Sequence, residues 1–245
     1  MSFVLKRKYG QNFLYDQNIL YKISNLIYSE NLNILEIGPG DGKLTDKIIE
    51  KKPSKLTLVE IDKDLFVNLL KRYSDINNIE IINKNILDFN ISDKYEVVIS
   101  NLPYNISSQI LVKLSTLNFT PNILILMFQK EFAERLLDKK LNSINSLIKC
   151  FYSVKLNFHV SKNCFRPIPK VDSSVVTFTR IKKNLINYDE IYNFIVFKRE
   201  IFSHKRKSLR RILKKFNLEE KFDLSQRVEN LELEDLIKLF RSTNS

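Results

Sequence analysis

Cysteine, histidine and glycine are all scarce in this chain of 245 residues. The two cysteines, Cys150 and Cys164, are neither closely spaced nor part of a CxxC. That argues against a disulfide framework or a thiolate metal site and fits a reducing compartment. His159 and His204 stand far apart with no HxxxH spacing, so no metal is expected. No apolar run approaches the ~18 residues that a membrane span requires. The opening residues Met1-Ser2-Phe3-Val4-Leu5-Lys6-Arg7-Lys8 carry no signal-peptide core, and a cytoplasmic protein without a membrane partner is expected.

What is plentiful is positive charge. Lysine and arginine number 40 against 28 acidic residues, a formal net charge of +12. An excess of that size favours a polyanionic partner, because neutralising phosphates releases condensed counterions. The hydrophobic content, 44%, is enough for a sizeable core.

Short β-branched runs at 33–37, 55–61, 79–82, 95–100 and 122–128 alternate with amphipathic segments near 44–52, 63–73, 107–117 and 130–138. This alternation predicts right-handed crossovers and a mostly parallel, doubly wound α/β sheet. Two later runs, 151–160 and 173–180, are separated by a proline-containing loop rather than a helix. They predict a hairpin-like pair with one antiparallel strand closing the sheet. Beyond about residue 187 the pattern is helical, so a domain over 1–184 and a small helical domain over 185–245 are expected.

Three of the four glycines are Gly38, Gly40 and Gly42, between the strand at 33–37 and the following helix. A strand, glycine turn and helix in that order bind nucleotide-like ligands. A dinucleotide fingerprint would place its third glycine where Lys43 stands. The turn therefore fits S-adenosylmethionine, which has no pyrophosphate to cradle. About twenty residues on, Glu60 ends the second strand and can accept both ribose hydroxyls of an adenosyl group.

The fourth strand runs into Asn101-Leu102-Pro103-Tyr104. An amide oxygen, with the carbonyl of Leu102 or Pro103, can accept from an exocyclic amine of adenine or cytosine. Those hydrogen bonds also stabilise positive charge growing on that nitrogen. Pro103 stiffens the backbone, and Tyr104 can stack on a base taken out of its helix, worth ~1–3 kcal/mol. The expected fold is thus a Rossmann-like class I methyltransferase sheet with the helical domain at its carboxyl end.

The segments Gly10-Gln11-Asn12-Phe13-Leu14, Glu36-Ile37-Gly38-Pro39-Gly40-Asp41-Gly42 and Asn101 through Ser108 resemble the ribosomal RNA adenine dimethyltransferases of the KsgA type. So do Phe128-Gln129-Lys130-Glu131, the run from Phe165 to Ser173 and the late basic run from Phe202 to Arg211. The resemblance covers nearly the whole chain. It implies dimethylation, from S-adenosylmethionine, of the N6 amines of two adjacent adenosines in the 3′-terminal hairpin of small-subunit rRNA during ribosome biogenesis. The implied partner is the immature small subunit, and a monomer is expected. It further implies Asn12 and Leu14 at the cofactor's methionine end, Asn85 and Ile86 at its adenine, and Asn101 where cofactor and target amine meet. Phe165 is implied as a second aromatic face opposite Tyr104; the alternative is a core phenylalanine.

One position and one short stretch depart from the family pattern. Asn85 stands where an aspartate is usual, and losing that charge should cost on the order of 1 kcal/mol. Ile144-Asn145-Ser146-Leu147 replaces the family's Tyr-Gly-Arg-Leu-Ser. Lys198, Arg199, Lys205, Arg206, Lys207, Arg210, Arg211, Lys214 and Lys215 crowd one helical region. Together with Lys6, Arg7 and Lys8 they are expected to hold RNA through phosphates. Competing readings are an Erm-type enzyme acting on large-subunit rRNA, a non-catalytic assembly factor and a DNA adenine methyltransferase. The Val171-Asp172-Ser173 context and the basic tail favour the small subunit.

Overall fold

The computed structural model describes residues 11–92, 94–119, 121–204, 207–213 and 223–243. The chain forms two compact units, one from Met1–Ala133 and Val154–Arg180, the other from Glu134–Ser153 and Ile181–Ser245.

The first unit is built on a sheet whose parallel strands are β2 (Asn33–Ile37), β3 (Lys55–Glu60), β4 (Ile79–Asn83), β5 (Val97–Asn101) and β6 (Ile123–Gln129). With β7 (Tyr152–Val160) and β9 (Ser173–Arg180) the order is β4-β3-β2-β5-β6-β9-β7. β9 runs antiparallel to β6, with Gln129 opposite Ser173, as the proline-containing connection implied. β2, β3 and β5 are buried along nearly their whole length, which is how a parallel sheet covered on both faces reads. The helices are α1 (Gln17–Ser24), α2 (Lys43–Ile49), α3 (Lys63–Tyr73), α4 (Ser107–Ser115) and, spanning the edge of the unit, α5 (Lys130–Leu137). α1 starts where the Asp16 carboxylate accepts from Ile19 N–H at 3.0 Å, and α3 where Asp62 accepts from Asp64 N–H at 3.0 Å.

Two elements lie outside the sequence expectation. β1 (Phe13–Leu14) and β8 (Phe165–Arg166) form a separate two-stranded antiparallel ladder, with Phe13 opposite Arg166 and Leu14 opposite Phe165. Strands of two residues leave no periodicity to read.

The second unit begins earlier than the expected boundary, because Glu134–Ser153 belongs to it. Leu147, Ile148, Cys150 and Phe151 are fully buried. The backbone N–H groups of Ile181 and Leu185 donate to the Phe151 and Cys150 carbonyls, each at 3.0 Å. Asn145 opens the short helix α6 (Asn145–Ile148). Its amide accepts from Asn142 N–H at 2.8 Å and donates to the Lys140 carbonyl at 3.0 Å. This is a structural knot in the stretch that departs from the family pattern. Phe194 and Phe197 on α7 (Ile191–Ser203) pack on Phe240 of α8 (Leu233–Thr243), with ring centroids 5.1 and 5.5 Å apart. Arg241 holds Glu190 through two hydrogen bonds of 2.8 and 2.9 Å, a fork geometry that fixes both partners.

Candidate active site

β2 and β5 are neighbours, yet the chain leaves them in opposite directions, β3 and β4 extending one side and β6 the other. Ligands of doubly wound sheets bind beyond the carboxyl ends of the strands at such a switch point. Both chemical motifs of the sequence emerge there. Ser100 Oγ donates to the Ile37 carbonyl at 2.6 Å, joining the two strands just before their loops diverge.

The loop after β2 is a glycine turn. Gly38 and Gly40 have φ of +63° and +62°, a region closed to most side chains. A Cβ at Gly40 would meet the Phe13 ring at 2.9 Å, whereas a Cβ at Gly38 would project into open space. Gly38 N–H donates to the Val59 carbonyl at 2.9 Å. Glu60 closes the turn from the next strand: Oε2 accepts from Gly40 N–H at 3.1 Å and Oε1 from Asp62 N–H at 2.8 Å. Each oxygen keeps a second lone pair, so the carboxylate can take further donors without releasing the turn. Burial, the largest influence, holds its pKa above the usual carboxylate value against those hydrogen bonds.

At the end of β5, Asn101 Nδ2 donates to the Asn12 carbonyl at 3.0 Å. That hydrogen bond assigns the amide nitrogen and leaves its oxygen as the acceptor. Pro103 O accepts from Ile106 N–H at 3.2 Å in the turn that leads into α4. Tyr104 is anchored at its far end, where Oη and Ser173 Oγ are 2.6 Å apart, and Ser173 is fully buried at the start of β9. Burial raises the Tyr104 pKa, partly offset by Ser173.

Asn12, Leu14, Gly38, Gly40, Glu60 and the four residues from Asn101 to Tyr104 line one cavity. Its wall also carries Glu36, Asp41 and, as apolar surface, Ile61 and Leu65. Glu36, 1% exposed, accepts from Thr45 Oγ1 at 2.7 Å. Burial, reinforced by Asp46, Glu60 and Asp41, pushes its pKa up to about 8 despite the Thr45 hydrogen bond. Of the three carboxyl groups lining the cavity, Glu36 thus keeps its proton through neutral pH, Asp41 is paired with Lys43 Nζ at 2.6 Å, and Glu60 is the one turned to the backbone N–H groups of the turn. Glu36 and Asp41 stood within the glycine motif, but nothing in spacing alone distinguished them. Ile61 is 42% exposed beside buried Glu60; an apolar side chain one step past a strand-ending acid is a signal that sequence could carry.

Three expected residues are not among those lining the cavity. Phe165 is fully buried in the core cluster with Leu14 and Val160. With no exposed face, it has the surroundings of the core alternative rather than of a free aromatic face opposite Tyr104. Asn85 spends its side-chain oxygen on Leu87 N–H at 3.0 Å in a turn after β4, and Ile86 is buried. Lys207, Arg210 and Arg211 are exposed in the second unit. Lys198 is not: it is 5% exposed, and its Nζ donates to the Ser143 carbonyl at 2.6 Å. Desolvation, with Arg199 adding to it, lowers its pKa to about 8. Lys6, Arg7, Lys8, Lys205, Arg206, Lys214 and Lys215 lie outside the described residues.

A parallel sheet closed by one inserted antiparallel strand, with a glycine turn and an amide at its switch point, is the Rossmann-like fold of class I methyltransferases. Solved structures share it. The 23S rRNA methyltransferase ErmE has a TM-score of 0.76 at 21% identity, over 95% of this chain and 100% of that one. A dimethyladenosine transferase from Plasmodium falciparum scores 0.83 at 28% identity, over 95% and 97%. A protein of Mycoplasmopsis pulmonis (strain UAB CTIP), named Ribosomal RNA small subunit methyltransferase A, is 39% identical over 96% of this chain and 97% of its own length. The family model described as Ribosomal RNA adenine dimethylase matches residues 2–244. The chain belongs to that family.

Proposed function

We propose that the protein transfers methyl groups from S-adenosylmethionine to the N6 amines of two adjacent adenosines in the 3′-terminal hairpin of small-subunit rRNA. The observation that carries this reading is the Asn101 amide, oriented by the Asn12 carbonyl, in one cavity with the glycine turn, Glu60 and the anchored Tyr104.

The cavity suits the cofactor on the donor set alone. Gly38 has no Cβ to fill the space in front of the turn, and Glu60 can accept hydroxyls beside the N–H groups it already holds. S-adenosylmethionine, when bound, supplies a methyl group already activated on a cationic sulfur. What remains for the chain is alignment, which can be worth up to ~7–11 kcal/mol. The Asn101 oxygen accepts from the target amine and favours the positive charge that grows on its nitrogen. A backbone carbonyl of Leu102 or Pro103 takes the second N–H. Tyr104 stacks on the extruded base, and its hydroxyl bond to Ser173 keeps the ring from turning. No strong general base is required, because the methylated nitrogen becomes acidic and sheds its proton to water.

In the second unit, exposed Lys207, Arg210 and Arg211 contact phosphates and position the RNA without reading it. The small-subunit specificity rests on relatives such as the Mycoplasmopsis pulmonis protein, whose name carries it. The test is transfer of labelled methyl from S-adenosylmethionine to unmethylated small subunits or to deproteinised large-subunit rRNA, followed by mapping of the modified adenosines. Label at two adjacent small-subunit adenosines is expected. Label only on large-subunit rRNA, or on neither, overturns the assignment. Asn101→Ala should abolish transfer while RNA binding persists.

A further inference from the structure

We propose that Tyr15 and Arg166 form a preassembled contact for the RNA strand flanking the target adenosine, a proposal that rests on the RNA methylation above. The Arg166 guanidinium carbon lies 4.8 Å from the Tyr15 ring centroid, and both side chains are exposed. Each is held from its own far side. Tyr15 Oη donates to the Asn163 carbonyl at 2.7 Å, and Tyr15 N–H to the Cys164 carbonyl at 3.0 Å. Arg166 Nη1 donates to the Phe165 carbonyl at 3.0 Å. One of the five guanidinium N–H donors is thereby used, and among the described residues no carboxylate pairs with the group. An exposed arginine fixed in place without an acid to satisfy it has donors ready for phosphate. The guanidinium over the tyrosine ring adds to a surface on which a base can stack.

The position of the pair is set by the β1–β8 ladder, in which Phe13 faces Arg166 and Leu14 faces Phe165. Asn12 and Leu14 of the same short segment line the cavity, so the pair sits immediately outside the site where the target amine is held. Charge divides this region in two. Among the described residues the cavity wall carries Glu36, Asp41 and Glu60 but no lysine or arginine to draw a phosphate in. Outside it, Lys162, Arg166 and Lys170 are exposed along one stretch of chain. The nearby acids are engaged: Asp16 caps α1 through Ile19 N–H, and Asp172 accepts from Lys162 N–H at 2.9 Å. Exposed Ile168, 53% accessible, adds apolar surface to the same stretch.

The experiment uses the full chain with unmethylated small subunits and saturating S-adenosylmethionine. Arg166→Gln and Tyr15→Leu are each expected to raise KM for the particle by about five- to tenfold, the low end of what one stacked base contributes. kcat and cofactor affinity should be unchanged, and Arg166→Gln should reduce the salt slope of RNA binding by about one. Tyr15→Phe, which keeps the ring, should recover most of the Tyr15→Leu loss. An unchanged KM and salt slope in Arg166→Gln overturns the proposal, as does a fall in kcat alone. Absence of methyl transfer by the unaltered chain overturns the function reading instead, and direct RNA binding by the same variants still decides the contact.

Discussion

Gly38 and Gly40 offer a comparison in which the same substitution has two separable costs. Both residues have φ near +60°, so alanine at either should cost about 1–2 kcal/mol of backbone strain. At Gly38 that is the whole cost to the fold, since the new Cβ meets nothing within 4 Å. At Gly40 the Cβ would sit 2.9 Å from Phe13 Cε1 and 3.1 Å from Cδ1, against an ordinary carbon separation of about 3.5–4.0 Å. The Phe13 ring must move, and it belongs to the β1 segment next to Asn12, whose carbonyl holds Asn101. Overpacking of that kind adds about 1–3 kcal/mol. Gly40→Ala should therefore destabilise by about 2–5 kcal/mol, and Gly38→Ala by no more than about 2 kcal/mol. Urea unfolding followed by far-ultraviolet circular dichroism, with and without saturating S-adenosylmethionine, reads both. Gly38→Ala should lose most of the stabilisation by cofactor, because its methyl group enters the space the cofactor needs. Equal unfolding midpoints for the two variants, or cofactor stabilisation undiminished in Gly38→Ala, would refute the assignment of the turn.

Phe165→Ala and Tyr104→Ala should separate a core residue from a site residue. The first is expected to cost about 3–5 kcal/mol in urea unfolding, the second mainly methyl-transfer rate; a Phe165→Ala chain as stable as the parent would contradict its burial. Glu36 should make stability fall with pH. Between the ordinary value of 4.5 and about 8, the folded chain retains a proton that the unfolded chain has lost, so unfolding midpoints decline across that window and level off above it. Glu36→Gln should flatten this decline, and an identical pH profile in the variant would rule the group out. Lys207→Glu with Arg210→Glu should weaken RNA binding and reduce its salt dependence, measured by filter binding across a salt titration; unchanged binding would remove the second unit from RNA recognition.

The sheet was legible because each buried strand spelled itself in β-branched residues, and the antiparallel strand because a proline-containing loop of a dozen residues leaves no room for a crossover helix. The cavity was legible where chemistry is local, at the glycine turn and at Asn101 to Tyr104. What escaped depended on distant pairing. Phe165 is buried in a cluster with Leu14, some 150 positions away. The inclusion of Glu134–Ser153 in the second unit is decided by hydrogen bonds from Ile181 and Leu185. Lys198 could have been read correctly. It follows Phe194 by four positions and precedes Ile201 by three, which places it on the buried stripe of α7. Its charge drew it into the basic run, while its helical phase put it inside.

The bond from Ser100 to the Ile37 carbonyl has a consequence for how such a site tolerates change. Gly38 and Asn101 each stand one residue beyond the joined pair, so their separation is governed by the spacing of adjacent strands, about 4.8 Å, and not by either loop. The glycine turn and the Asn101 amide are thus referenced to the same two backbones. Loops that touch neither the glycine turn nor the Asn12–Leu14 segment can be rebuilt without altering the spacing of those two strands.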